Sequence, residues 1–431
     1  MKKIWIIMAL CLFSGTVWTQ NAKDEIKRNQ DLSAGKYYAY QVPDVTLTEA
    51  PEGYEPFYIS MFARHGSRYL TKQKKYDRPL AVLREAKRCG ALTKEGKKAL
   101  EIIESLAKEA EGRYGELTPK GVQQHRDLVA RMFRRYPSVF TNGVHVDARS
   151  TYKTRAFLSM AAACVELKGV NPALDITMDA SEHDAYYIKY KNPAYEEMHL
   201  SEMDEVYRLA DSVYIHPSHL MKTLFNNRKY ADSIDSVTLM KDLFELHGIS
   251  QSSYGQKDLS FLFTLDEKYD MWQRNNFEWY YEKGASPLSD ACMYKLERNL
   301  LENFVVTADS VIASGHPAAT LRYGHDTNLA PLTVLMGIDN LSASTSDWQK
   351  IADTFRTYRI IPMCGNVQLI FYRKKKNPQD VIVKLLLNER EVTLPMVKTD
   401  IAPYYHWKDV KDYWLRTVNS ITLPACERDS E

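Results

Sequence analysis

The stretch that most limits what this chain can become is the apolar run Phe57-Tyr58-Ile59-Ser60-Met61-Phe62-Ala63, which stops abruptly at Arg64-His65-Gly66-Ser67-Arg68. Seven mainly apolar residues suit a strand covered on both faces, so the spacing predicts a sheet with helices packed on each side. Such strands deliver their C-terminal ends into sites, and Gly66 lets the backbone turn and approach a ligand closely where this one stops. Two guanidiniums four residues apart, with an imidazole beside the first, suit a tetrahedral dianion: each arginine offers paired N–H donors and keeps its charge. Between them His65 is placed to attack phosphorus. The plainer reading is an Arg-His-Gly turn at a strand end with no chemistry attached.

Two further segments repeat the pattern of a strand ending in ionisable residues. Val144 to Ala148 alternates like a short strand and is followed by Arg149; Ser150 is then a candidate cap for a helix containing Phe157, Met160, Ala161 and Val165, which sets Arg149 beside a helix N-terminus that favours anions. Ala319 to Tyr323 is followed by Gly324-His325-Asp326. Elsewhere the periodicity predicts a helix over 93–110 capped by Thr93, and another starting at Thr118-Pro119 with a stripe of Val122, Leu128, Val129, Met132 and Phe133. His125, near that stripe, reads as a packed structural histidine. Residues 170–305 lack strong strand signals, with helical stretches near 232–247, 268–283 and 288–305. His216-Pro217-Ser218-His219 reads as loop histidines, since no acidic or cysteine partner is nearby. A C-terminal hairpin from Val367 to Phe371 and Val381 to Leu387, then a helix through Trp407, Val410, Trp414 and Val418, closes the chain.

Arg64-His65-Gly66-Ser67-Arg68 resembles the signature of the histidine acid phosphatases, the branch of the histidine phosphatase superfamily that includes phytases. Leu321 to Leu329 resembles the family's His-Asp element, and Val146-Asp147-Ala148-Arg149-Ser150-Thr151 the segment that supplies a further phosphate-binding arginine. Leu117-Thr118-Pro119-Lys120-Gly121, Phe263 to Glu267, Asn366 to Leu369 and Leu386 to Glu389 are similar to multiple inositol polyphosphate phosphatases. The resemblance implies an α/β three-layer sandwich with a mixed central sheet, built from residues 20–168 and 306–431, with a mostly helical inserted domain over 169–305 capping the active site. It implies His65 as nucleophile, Asp326 as proton donor, and Arg64, Arg68, Arg149 and His325 as phosphate ligands. Thr71 and Lys72 fall where family members place substrate contacts, and Arg155 matches a position associated with packing. Two departures stand out: Leu70 replaces a common proline, and Asp326-Thr327 replaces the Ala-Glu that many inositol polyphosphate phosphatases carry.

Lys2 and Lys3 before the apolar run Ile4 to Phe13, followed by small residues, read as a signal peptide over 1–19. The run is too short to span a bilayer, and no later segment approaches the ~20 apolar residues a span needs. A secreted or periplasmic, monomeric enzyme is expected. The formal charge of +2 falls to neutrality without the two lysines, so no global field points to nucleic acid, and attraction for a phosphorylated small molecule must come from local arginines and lysines. Cys89, Cys164, Cys292, Cys364 and Cys426 remain after the leader is removed and show no metal pattern. No cofactor or metal is expected, because clustered arginines and His325 can neutralise phosphoryl oxygens as preorganised donors.

The expected chemistry is in-line attack by His65, giving a phosphohistidine that water hydrolyses, with Asp326 protonating the leaving alkoxide. Asp326 is alternatively an N-cap for the helix containing Leu329 and Leu332. Inositol polyphosphates including phytate are the favoured substrates. Sugar phosphates, or a broad-specificity acid phosphatase, are the alternative, and a phospholigand-binding protein that no longer turns over is the third reading.

Overall fold

The computed structural model describes residues 21–255 and 257–423; the leader expected over 1–19, and Cys11 and Cys426, lie outside the described residues. The opening run forms β1 (Tyr54–Arg64), and seven strands join it: β2 (His145–Ser150), β3 (Asp175–Asp179), β4 (Ala318–Gly324), β5 (Asn366–Lys374), β6 (Asn377–Leu387), β7 (Arg390–Glu391) and β8 (Tyr404–His406). Their order is β3-β2-β4-β1-β5-β6-β7, with β8 paired to β6. β1 runs parallel to β4 and antiparallel to β5, so the sheet is mixed and β1 lies inside it.

Burial on both faces follows from alternation along β1. Tyr58 and Phe62 pack on one face with Val367, Leu369 and Phe371 against the helices Arg298–Ser314, Asp326–Leu335 and Trp407–Asn419. Ile59, Met61 and Ala63 pack on the other with Val146, Leu321 and Tyr323 against the helices Pro119–Arg135 and Thr154–Val170. These layers are the three of the expected α/β sandwich. Among the described residues the segment between β3 and β4 contains helices and no strand. It begins later than expected, because β3 pairs in parallel with β2 and carries the sheet on to Asp179.

Caps set the helices that matter for the site. Thr118 accepts from the Gly121 N–H at 3.3 Å and Pro119 occupies the first turn, which starts Pro119–Arg135 as its sequence predicts. Thr93 likewise caps Lys94–Ala110. The helix after β2 departs from expectation. Ser150 is the last residue of the strand, the helix opens at Thr154 after Lys153, and of its apolar residues Met160 is buried while Phe157 and Val165 are exposed. His125 is buried against the Tyr323 ring at 5.5 Å, away from solvent, as a packed histidine should be. His219 pairs with Glu267, not with His216.

Candidate active site

The ends of β1 and β4 lie side by side, so residues remote in sequence become neighbours. The His65 N–H donates to the Gly324 carbonyl at 2.9 Å, and Arg64 pairs with Gly324 in the strand register. Beyond the strand the loop is clamped from the opposite layer. Gly66 N–H donates to Ser159 Oγ at 3.1 Å, Ser67 N–H to Gln124 Oε1 at 2.8 Å, and Thr118 N–H to the Ser67 carbonyl at 2.9 Å. A Cβ on Gly66 would meet the Gly121 backbone at 2.4 Å, and one on Gly121 the Ser67 carbonyl at 2.2 Å. Both glycines are required because two main chains cross with no room for a side chain.

This clamp fixes the histidine. Nδ1 of His65 stands 2.9 Å from the Gly66 carbonyl, so Nδ1 carries the proton and Nε2 keeps a free lone pair. Burial lowers the His65 pKa well below its ordinary value, helped by the charges of Arg64, Arg155, Arg68 and His325. The imidazole is therefore neutral, the form a nucleophile requires.

Around it the cations are anchored by part of each guanidinium and bare on another. Arg64, with no exposure, donates through Nη1 to the carbonyls of Lys36 and Ile361 and pairs through Nη2 with Asp326 at 2.7 Å. Arg68 Nη1 donates to the Tyr69 carbonyl at 2.8 Å. Arg155 Nη2 stands 3.4 Å from His325 Nδ1, and His325 Nε2 stands 3.1 Å from Thr151 Oγ1. The Nε–H groups of Arg64, Arg68 and Arg155 are buried without a hydrogen-bond partner. Buried donors left bare cost free energy that an anionic ligand recovers. The His325 ring lies edge-on to His65, with centroids 5.6 Å apart, and burial with the Arg155 charge brings its pKa to about 3. Burial opposes the charge on Asp326, yet Arg64, Lys36 and Arg68 together hold its carboxyl well below the usual range.

Five of the residues singled out in the sequence thus converge: Arg64, His65, Arg68, His325 and Asp326. Arg149 does not join them. Its side chain pairs with Asp147 at 2.7 Å, Asp179 at 3.2 Å and Asp184 at 3.3 Å, and the arginine at the cleft is Arg155, which the sequence had suggested for packing. Thr71 and Lys72 are exposed on the loop beyond Arg68, and neither side chain bonds to the cluster. Asp326 is the first residue of its helix with His325 at the cap position, and its Oδ1 accepts from the Thr327 N–H at 3.0 Å.

A cavity of about 390 Å³ opens from His325 and Asp326, lined by Lys153 and Arg155 and by Lys189 and Lys283 from the segment between β3 and β4. Lys189 bonds to the Tyr152 hydroxyl and lies over its ring, and Lys153 flanks the same ring at 5.3 Å. None of these lysines was singled out, because isolated lysines in a polar segment carry no periodic signal.

The family model of the histidine phosphatase superfamily (branch 2) matches residues 58–388, from within β1 to just past the end of β6. The chain belongs to that superfamily. As a branch 2 histidine phosphatase it is a phosphoric monoester hydrolase. Among solved structures it is similar to the Bifidobacterium longum multiple inositol polyphosphate phosphatase in complex with inositol hexasulfate, with a TM-score of 0.71 at 20% identity, covering 89% of this chain and 97% of that one. It is also similar to the phytase from D. castellii, with a TM-score of 0.62 at 14% identity, covering 90% and 85%. These likenesses show the shared fold. No curated protein matches the sequence. Among the described residues no helix is long and apolar enough to cross a membrane.

Proposed function

We propose that this phosphatase is an exported enzyme that removes phosphate from polyphosphorylated small molecules, inositol phosphates including phytate foremost, through a phosphohistidine on His65. The observation that carries the chemistry is the neutral His65 with Nε2 free, set among three guanidiniums whose buried Nε–H groups lack acceptors. A phosphoryl group seated there meets donors already in place as charge develops on its oxygens. In-line attack by Nε2 forms the N–P bond as the ester P–O bond breaks, and water then reverses the sequence on the phosphohistidine.

Asp326 is the proton donor in this reading, although Arg64 keeps it ionised in the free enzyme. An arriving phosphate dianion competes for Arg64 and sets a like charge beside the carboxylate, and both effects raise its proton affinity. Binding thus loads the acid that the leaving alkoxide needs. Preference for several phosphates is supported by Lys153, Lys189 and Lys283 in the cavity that adjoins His325. Export rests on the basic and then apolar N-terminal segment.

Phosphate release from phytate, measured across pH 3 to 8 with chelator present and set against glucose 1-phosphate, tests the reading. Chelator-resistant release that is lost in His65→Ala supports it. Hydrolysis of the sugar phosphate alone leaves the chemistry and removes the substrate.

A further inference from the structure

Residues 22–40 form an N-terminal arm of two short helical segments, and the arm ends against the reaction centre. The Lys36 carbonyl accepts from Arg64 Nη1, so the arm's backbone is part of what positions that guanidinium. Its side chain does something different. The ammonium lies 5.5 Å from the centre of the Tyr37 ring and 5.1 Å from that of Trp279, held by aromatic faces. Among the described residues no carboxylate forms an ion pair with it.

Three carboxyl groups nonetheless feel its charge: Asp326, Glu245 and Glu282. Each is already taken. Asp326 pairs with Arg64, Glu245 with Lys75 and the Tyr37 hydroxyl, and Glu282 with Tyr207. A half-buried ammonium packed between two aromatic rings, with no carboxylate in ion-pair contact among the described residues, keeps its charge available for an anion from outside the chain. Its place is also informative: the Tyr37 ring that it flanks carries the Arg68 guanidinium as well, 5.6 Å from its centre, so the ammonium sits by the phosphate-binding arginines of the functional reading above.

We propose that Lys36 is a specificity-determining residue: its ammonium receives a second phosphate, carried on the leaving group beside the ester being cleaved. This rests on the phosphatase reading above and adds to it that the arm helps to choose the substrate. A monophosphate of a small alcohol has nothing to offer Lys36. A polyol bearing neighbouring phosphates does.

The test is a pair of substitutions, Lys36→Met and Lys36→Arg, neither of which touches the carbonyl that Arg64 uses. The ratio of kcat/KM for phytate to kcat/KM for phenyl phosphate should fall at least tenfold in Lys36→Met, chiefly through KM, and return to within threefold of wild type in Lys36→Arg. In a His65→Ala background, calorimetry should show weaker binding of phytate on adding Lys36→Met, with binding of inorganic phosphate less affected. Equal losses on both substrates, which leave the ratio unchanged, would mean that Lys36 only tunes Asp326, and wild-type kinetics on both would mean that it does nothing; either overturns the inference. If the wild type hydrolyses neither compound, the functional reading fails, and the binding arm still decides whether Lys36 holds a second phosphate.

Discussion

Replacing Arg155 by methionine should make this protein more stable and nearly inactive at once. Burial, with Arg68 and Arg64 nearby, brings its pKa down to about 10, from the ~12.5 of a free arginine. At 1.36 kcal/mol per decade the full difference is on the order of 3 kcal/mol, and residual solvent contact reduces the expectation to about 1–2 kcal/mol. The sign follows from the direction: a base whose folded pKa is lowered opposes folding at every pH below that value, and the penalty is relieved between about 10 and the unfolded pKa. Methionine keeps much of the stem's packing and removes the charge, so at pH 7 the melting temperature should rise by a few degrees. Catalysis should move the other way. Loss of one preorganised donor costs about 2.7–4 kcal/mol in the transition state, or a fall of 10²–10³ in kcat. Thermal melts and steady-state kinetics on phenyl phosphate measure both. Arg149→Met supplies the contrast: its charge satisfies three aspartates, so stability should drop by about 1 kcal/mol while kcat/KM stays within about fivefold. A destabilised but active Arg155→Met beside an inactive Arg149→Met would refute the placement of the third arginine.

Other consequences are open to equally direct measurement. Asp326→Asn should slow release from alkyl phosphates at least tenfold more than from p-nitrophenyl phosphate, whose leaving group needs no proton; equal slowing argues against a proton donor. Gly121→Ala sets a methyl against the Ser67 carbonyl, so it should cost about 1–3 kcal/mol in denaturant melts and lower kcat with it; an unperturbed variant would contradict the crossing of the two main chains. Glu297 is buried, bonded at 3.1 Å to Asn328, and its pKa is pushed up to about 8 by desolvation. Because a raised carboxyl pKa favours the protonated fold, stability should drain away as pH climbs from the ordinary carboxyl range to about 8. Glu297→Gln should therefore match wild type near pH 4 and exceed it by a few kcal/mol at pH 8, as melts at the two pH values would show.

The sequence made the strand ends legible because strand burial and a cationic terminus coincide in one short window. A continuous apolar run placed β1, alternation placed β2 and a short strand pattern placed β4, and the pairs Arg64-His65 and His325-Asp326 fall where β1 and β4 stop. The third arginine was misplaced for a specific physical reason. Arg149 also follows a strand pattern, but it sits on the half-buried face of β2 beside Asp147 and opposite Asp179, which draw its guanidinium away from the cleft. The chain then turns through Tyr152 and Lys153 before the helix opens, and the first helical turn brings Arg155 to His325. The pairing of Arg149 with those aspartates and the length of that turn together decide between the two arginines, and apolar periodicity encodes neither. Lys36 escaped notice because it lies in an arm that folds back across 28 residues onto Arg64.

The hydrogen bond from His65 to the Gly324 carbonyl joins two positions separated by most of the chain. Closing a loop of that span depends on nearly everything between them having been made and folded. A nascent chain that has emerged only as far as the helices after β3 already contains His65, Arg64, Arg68 and Arg155, but it has no strand to hold them together. Such a fragment carries His65 without the residues that surround it in the folded site. A hydrolase of phosphomonoesters wired in this way has no assembled site until β4 docks on β1, and delivery across a membrane in an unfolded state would postpone that moment to the far side.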